Sequence, residues 1–217
     1  MKINVVTNNC YWDEFYQNLE LSVPSQFCVM VATECVKGPT IVELGCGNGR
    51  DSFYFAGQGH NVCAIDLSKE AVEGCRDFAE KNGLDNANFV QGSIAEFDDL
   101  ERVFIKARGL SKNRDIVAYS RFVMHSIDDV QESAFLEAVG QLMLSGEKIY
   151  FEFRSEEDAK LEKTYGNHYR RFVKTDKFIE AQTDKHGFEL SYERTGQGMA
   201  KYKSEDPYVS RLIFEKK

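Results

Sequence analysis

Short apolar runs alternate along the chain with segments of helical periodicity, a pattern typical of a sheet whose strands are joined by helices. The apolar runs predict strands at residues 41–44, 61–66, 88–91, 115–119, 148–153, 188–193 and 209–214. The helical periodicity predicts helices at residues 100–110, 130–144 and 175–185, with others after residues 49 and 68. The alternation favours an α/β fold, a doubly wound seven-stranded and mostly parallel sheet with one antiparallel strand and helices on both faces.

The first predicted strand ends in a turn that is rich in glycine. The turn is Glu43-Leu44-Gly45-Cys46-Gly47-Asn48-Gly49, and a helix begins at Arg50. Glycines let a ligand approach the backbone, and the helix start presents unpaired N–H groups to it. A dinucleotide fingerprint would need a third glycine where this chain has Arg50, which disfavours a nicotinamide cofactor. A tight turn without a ligand remains the alternative interpretation.

An acid ends the second predicted strand. Asp66 follows the first glycine by about 20 residues, the separation at which a carboxylate can accept hydrogen bonds from ribose hydroxyls. Ser68 is predicted to cap the next helix. The alternative is that Asp66 is itself only a capping residue.

The glycine turn resembles motif I of the class I S-adenosylmethionine-dependent methyltransferases, and later segments resemble further motifs of that family in the same order, over about residues 40–153. The resemblance implies the Rossmann-like methyltransferase fold with S-adenosyl-L-methionine as cofactor and S-adenosyl-L-homocysteine as product. It implies that the glycines pass under the methionine part, Asp66 binds the ribose, and Ser93 and Ile94 border the adenine. The implied cofactor-binding residues are Tyr16, Glu43, Gly45, Cys46, Gly47, Asn48, Gly49, Asp66, Leu67, Ser93, Ile94 and Ser120.

The segment after the fourth predicted strand, Ser120-Arg121-Phe122-Val123-Met124-His125, resembles the motif that approaches the methyl group in this family. It lacks the Asn-Pro-Pro-Tyr type of sequence found in many amino-methylating nucleic-acid enzymes, which disfavours nitrogen methylation of DNA bases. A hydroxyl acceptor must lose a proton, and histidine is the usual base near neutral pH. We expect His125 as the first candidate base and His168 as the second, whereas an anionic acceptor would need no base and would depend on Arg121.

A cluster of aromatic and cationic residues follows the fifth predicted strand, in the segment 156–174. Its arginines could bind a carboxylate or phosphate with two parallel hydrogen bonds. The predicted acceptor-binding residues are Tyr11, Trp12, Arg121, His125, Arg154, His168, Tyr169, Arg170 and Arg171. For the cluster the alternative is a solvated insertion, and for the N-terminal aromatic residues it is packing of a helix on the sheet.

Composition sets further bounds. The 217 residues fit one domain, with residues 1–39 as an N-terminal helical cap, 40–153 as the cofactor-binding core and 154–217 as the substrate side. The net charge of −8 provides no basic surface for a nucleic acid. All six cysteines precede Asp77 without zinc-site spacing, so we expect them to be reduced and mostly buried.

The chain has no run long and apolar enough for a membrane span, no signal pattern and no dense metal-ligand set. We therefore expect a cytoplasmic protein, monomeric or homodimeric, that binds neither membrane nor metal.

The leading functional hypothesis is O-methylation of a small acceptor that bears a phosphate or carboxylate group. The C-terminal third, with Gly196-Gln197-Gly198 and Glu205-Asp206-Pro207-Tyr208, distantly resembles methyltransferases of bacterial capsule or polysaccharide modification. A protein or nucleic-acid methyltransferase and a non-catalytic cofactor-binding regulator are the other classes considered.

Overall fold

Seven strands form one sheet in the order β3-β2-β1-β4-β5-β7-β6. The computed structural model describes residues 23–35, 38–111, 116–161, 170–202 and 204–217. The strands are β1 (Thr40–Leu44), β2 (Val62–Asp66), β3 (Ala87–Gln91), β4 (Ile116–Arg121), β5 (Lys148–Arg154), β6 (Phe188–Gly196) and β7 (Val209–Lys216). Every pairing is parallel except the two made by β7, so the predicted sheet with one antiparallel strand is confirmed.

Helices cover both faces of this sheet. They are α1 (Gln26–Glu34), α2 (Arg50–Gly57), α3 (Lys69–Lys81), α4 (Phe97–Leu110), α5 (Asp129–Leu142) and α6 (Thr175–Lys185), with a short 3-10 helix at Glu156–Lys160. One apolar core lies among the strands, α4, α5 and α6, and a second lies among the strands, α1, α2 and α3. The first 22 residues of the predicted N-terminal helical cap lie outside the described residues.

The predicted elements differ from the observed ones mainly at their ends. Strand β4 continues two residues past its predicted end because Arg121 pairs with Glu152 of β5. Helix α4 begins three residues before its predicted start, and Asp98 and Asp99 occupy its first turn, where negative charge is favourable. Ser68 caps α3 as predicted, since its hydroxyl accepts a hydrogen bond from the Ala71 N–H at 3.1 Å.

The chain order reverses at β1, which pairs with β2 on one side and β4 on the other. In sheets of this kind ligands bind in the crevice at the carboxyl ends of the strands that flank such a reversal. The residues that follow β1 and β4 are therefore expected to border a ligand site.

A row of buried charges joins the strands beside this crevice. Glu152 of β5 lies between Arg121 of β4 and Arg211 of β7, and each arginine Nε is 2.7 Å from one of its carboxylate oxygens. Glu152 is 1% exposed. Because a buried charge is stabilised only when it is paired, this row holds the ends of the three strands side by side.

We predict that Glu152→Gln lowers the free energy of unfolding by about 3 kcal/mol, because two buried guanidinium groups would lose their carboxylate. Urea unfolding followed by circular dichroism measures this change. The matched control is Glu215→Gln, whose carboxylate is exposed and 3.9 Å from Lys148; it should cost less than about 1 kcal/mol. Equal losses in the two variants would contradict the prediction.

Candidate active site

The glycine turn passes from β1 to α2 in a conformation that side chains would not permit. Gly45 has a φ of 84°, and a Cβ there would overlap the Val123 side chain. Gly49 has a φ of 75°, and a Cβ there would lie 2.7 Å from the Cys75 sulfur. The N–H groups of Gly45 and Cys46 donate to the Ile65 carbonyl at 2.8 and 3.0 Å, which fixes the turn against β2.

One side chain in this turn has an unused hydrogen-bond donor. The Nδ2 atom of Asn48 is buried and has no partner within the described part of the chain. An unsatisfied buried donor is costly unless a water or a ligand accepts its hydrogen bond. The turn therefore combines close access to the backbone with a donor to which a ligand could bind.

Asp66 lies at the end of β2, between the glycine turn and the start of α3. Its Oδ2 accepts a hydrogen bond from the Gly47 N–H at 2.7 Å, and its Oδ1 accepts one from the Ser68 N–H at 2.9 Å. The neighbouring Leu67 is 43% exposed. The carboxylate thus contacts the glycine turn at the strand end where the resemblance implies ribose binding.

The two residues assigned to the adenine follow β3. The Ser93 N–H donates to Asp99 of α4 at 2.8 Å, and the Ser93 hydroxyl accepts a hydrogen bond from the Ala95 N–H at 3.2 Å. Ile94 is 9% exposed and belongs to the apolar core. Ser93 thus presents a half-buried hydroxyl after β3, whereas Ile94 contributes mainly to the core.

Two buried carboxyl groups, Glu43 and Asp51, lie behind the glycine turn. Glu43 accepts a hydrogen bond from the Ser52 hydroxyl of α2. Burial, and then the negative charge of Asp51, raise the pKa of Glu43 well above its usual range. Glu43, predicted to bind the cofactor, thus attaches β1 to α2 beneath the turn.

The pKa of Asp51 is shifted in the opposite direction and lies below its usual range. Burial alone would raise its pKa, but the cations of Arg121 and Arg50 and hydrogen bonds from Ser25 outweigh burial and lower it. The sequence did not identify Asp51 as a site residue. An acid in the first turn of a helix indicates only a favourable contact with the helix dipole.

The segment after β4 turns back towards the glycine turn. Phe122 has a φ of 60°, and it is the one non-glycine residue with a positive φ in the described ranges. The turn brings Val123 against Gly45, and Ser120 donates its hydroxyl proton to the Leu44 carbonyl at 3.3 Å. His125 is 4% exposed, and its ring lies edge-on to the Phe122 ring at 5.2 Å. Val123 and Ser120 therefore contact the glycine turn and the strand end before it, and His125 packs on Phe122 of the same segment.

The arginines predicted to bind the acceptor are engaged by carboxylates. Arg121 pairs with Glu152, and its guanidinium lies 4.1 Å from the centre of the Phe122 ring. Arg154 pairs with Asp158 at 2.7 Å and with Glu205 at 3.0 Å. These guanidinium groups therefore join β4 and β5 to neighbouring parts of the chain.

Arg171 is engaged in the same way. It pairs with Asp129 and Glu132 and donates to the Met124 carbonyl at 3.0 Å, which ties its loop to α5. Arg170 is half-buried. The remaining predicted residues, Tyr11, Trp12, Tyr16, His168 and Tyr169, lie outside the described residues.

Glu152, the partner of Arg121, was not predicted from the sequence either. Glu152 is the acid in the apolar strand Lys148–Arg154, and that position was the available signal that a buried cation would be nearby. Its second partner, Arg211, lies 59 residues further along the chain, too far for any local pattern to pair them.

Three further properties hold for the described ranges. The five cysteines there are free and buried, as expected of small apolar residues. No group of three or more potential metal ligands occurs in that part of the chain. None of the helices described is both long and apolar enough to span a membrane.

The site residues lie in a segment that is similar to known proteins. Residues 36–139 match the family model described as a methyltransferase domain. A ubiquinone biosynthesis O-methyltransferase of Rickettsia prowazekii (strain Madrid E) is 42% identical over 59 residues, which are 27% of this chain and 23% of that protein. A tRNA/tmRNA (uracil-C(5))-methyltransferase of Nautilia profundicola (strain ATCC BAA-1463 / DSM 18972 / AmH) is 40% identical over 68 residues, 31% of this chain and 18% of that protein. The chain thus spans less than a quarter of these curated relatives.

Solved structures of other proteins have the same fold as this chain at low sequence identity. A SAM-dependent methyltransferase from Anabaena variabilis ATCC 29413 superposes with a TM-score of 0.72 at 16% identity, covering 100% of this chain and 96% of that chain. The family match includes β1 to β4, with the glycine turn, Asp66 and His125. Residues 36–139 are therefore similar to a methyltransferase domain, and the chain has the Rossmann-like fold of methyltransferases.

Proposed function

We propose that this protein transfers the methyl group of S-adenosylmethionine to a hydroxyl group of a small molecule. The observation that carries the proposal is the convergence of the glycine turn, Asp66 and the segment after β4 at the carboxyl ends of β1, β2 and β4. Relatives that match the chain in part are named methyltransferases. These contacts support S-adenosylmethionine as the methyl donor. They also support an acceptor that approaches it from the side of the segment after β4.

The described residues fit this cofactor. The turn from Gly45 to Gly49 offers backbone that a ligand can approach, and Asn48 offers a buried donor without a partner among the described residues. Asp66 offers a carboxylate for the ribose, and the Ser93 hydroxyl offers a donor near the adenine. When bound, the cofactor supplies a methyl group on a positively charged sulfur.

The residues of the chain contribute to the reaction by aligning the methyl donor with the acceptor. The glycine turn would hold the donor on one side, and residues 120–125 would border the space in front of its methyl group. Holding two reactants in attack geometry can lower a barrier by about 7 to 11 kcal/mol in well-aligned cases. The contact of Val123 with Gly45 keeps these two segments together.

Removal of the acceptor proton is assigned to His125. Its ring is buried and packs against the Phe122 ring, which restricts its orientation. A histidine held in one orientation can accept a proton from a hydroxyl at near-neutral pH. His168 remains the second candidate on sequence grounds.

The acceptor is proposed to be small. Arg121, Arg154 and Arg171 already have carboxylate partners, so they give little support to the anionic group that the sequence suggested. That group, and a role in capsule or polysaccharide modification, rest on the sequence alone. An RNA acceptor is the second candidate because partial relatives are named RNA methyltransferases, but the net charge of −8 disfavours it.

The proposal predicts where a labelled methyl group will go. The protein would be incubated with methyl-tritiated S-adenosylmethionine and, separately, with a small-molecule extract, total RNA and a protein extract, and with no addition as the control. Label should pass to the small-molecule fraction in a base-stable form, as expected of an ether. Label in RNA or protein alone would contradict the acceptor class, and no transfer in any fraction would contradict the activity.

The base assignment predicts that His125→Ala lowers kcat by at least about 100-fold, the usual contribution of a positioned base. Affinity for S-adenosylhomocysteine, measured by calorimetry, should stay near the wild-type value. His186→Ala is the control because His186 lies at the end of α6, and it should leave both quantities unchanged. If His125→Ala weakens cofactor binding as much as turnover, His125 is not the base.

A further inference from the structure

Asp51 connects three elements that border the crevice. It is the second residue of α2, directly after the glycine turn. Its Oδ1 accepts a hydrogen bond from the Ser25 N–H at 2.8 Å, and its Oδ2 accepts one from the Ser25 hydroxyl at 2.7 Å. The Tyr119 hydroxyl of β4 donates to the same Oδ2 at 2.8 Å. One carboxylate thus joins α2 to α1 and to β4.

The contact with α1 uses the start of that helix. Ser25 is the residue that caps α1, since its hydroxyl also accepts a hydrogen bond from the Cys28 N–H at 3.0 Å. A negative charge at a helix start is stabilised by the unpaired N–H groups and the helix dipole. Asp51 stands at the start of α1 and in the first turn of α2, so it favours both helices at once.

The carboxylate has no capacity left for a substrate. Besides the bonds from Ser25 and Tyr119, Arg50 Nε lies 3.3 Å from its Oδ1, so each oxygen has two donors. Asp51 is 4% exposed. A carboxylate that is filled and buried in this way positions its neighbours, and it is not a base or a ligand-binding group.

Asp51 lies next to the end of the glycine turn, so its contacts fix the position of that end. The glycine turn is fixed at its beginning by Gly45 and Cys46, which donate to the Ile65 carbonyl of β2. At its end the turn continues into Arg50 and Asp51, and the Asp51 carboxylate fixes that end to β4 and α1. Helix α1 is held on β4 by a second contact, the stacking of Phe27 on Tyr119 at 5.3 Å between ring centres.

We propose that Asp51 is a positioning residue for the cofactor, which holds the far end of the glycine turn in its binding conformation by attaching it to the start of α1 and to β4. The proposal rests on the proposed function, since it concerns binding of S-adenosylmethionine and its product. It assigns a role in affinity to Ser25 and Tyr119, neither of which lies in the turn.

Calorimetric titration with S-adenosylhomocysteine tests the proposal, with thermal unfolding measured for each variant. Asp51→Asn keeps the shape of the side chain but places an amide among the hydroxyl and N–H donors. We expect the dissociation constant to rise at least about tenfold, as for loss of a charge-assisted hydrogen bond. Ser25→Ala and Tyr119→Phe should each raise it by a smaller factor, and Ser25→Thr, which keeps the hydroxyl, should restore wild-type affinity.

The control is Phe188→Leu, a substitution of a buried residue in the edge strand β6 that lowers stability away from the crevice. It should lower the unfolding temperature without changing affinity. If Asp51→Asn does not fold, the Ser25→Ala and Ser25→Thr pair decides. Wild-type affinity in Asp51→Asn and Ser25→Ala, or an equal loss in Phe188→Leu, overturns the role of Asp51 alone. A wild-type protein that does not bind S-adenosylhomocysteine overturns the proposed function and this inference together.

Discussion

The close packing of Gly45 against Val123 is the contact on which the arrangement of the crevice depends. β1 and β4 are adjacent strands, and the segments that leave them can meet only because Gly45 has no side chain and Phe122 adopts a φ of 60°. A larger residue at Gly45 would push the two segments apart. With that contact in place, the glycine turn lies beside Val123, and the Ser120 hydroxyl donates to the Leu44 carbonyl just before the turn.

Buried charges then fix the elements around this contact. Asp51 joins α1, α2 and β4, while Glu152 joins β4, β5 and β7. Every oxygen of the two carboxylates has at least one donor, which is the condition under which a buried charge can be tolerated. The same pairing explains why arginines that the sequence suggested for an acceptor instead form ion pairs within the protein. Removing one acid would therefore affect several elements at once.

The sequence was sufficient for features that depend on neighbouring residues. The glycine turn, the acid at the end of β2 and the Ser68 cap of α3 are local patterns, and the mostly parallel sheet with one antiparallel strand followed from the alternation of strands and helices. The polar contacts could not be predicted in this way. Asp51 and Ser25 are 26 residues apart, and Glu152 and Arg211 are 59 residues apart, so they meet only after the sheet has formed. The strained conformation of Phe122 likewise depends on its surroundings, because its side chain disfavours a positive φ.

The central claim is that the crevice beside the glycine turn binds S-adenosylmethionine through the carboxylate of Asp66. Calorimetric titration of the wild-type protein, Asp66→Asn and Asp77→Asn with S-adenosylhomocysteine tests it most directly, since Asp77 is an exposed acid of α3. The account predicts binding by the wild type and by Asp77→Asn with equal affinity, and binding at least about tenfold weaker by Asp66→Asn. Wild-type affinity in Asp66→Asn, or no binding by the wild type, would contradict it.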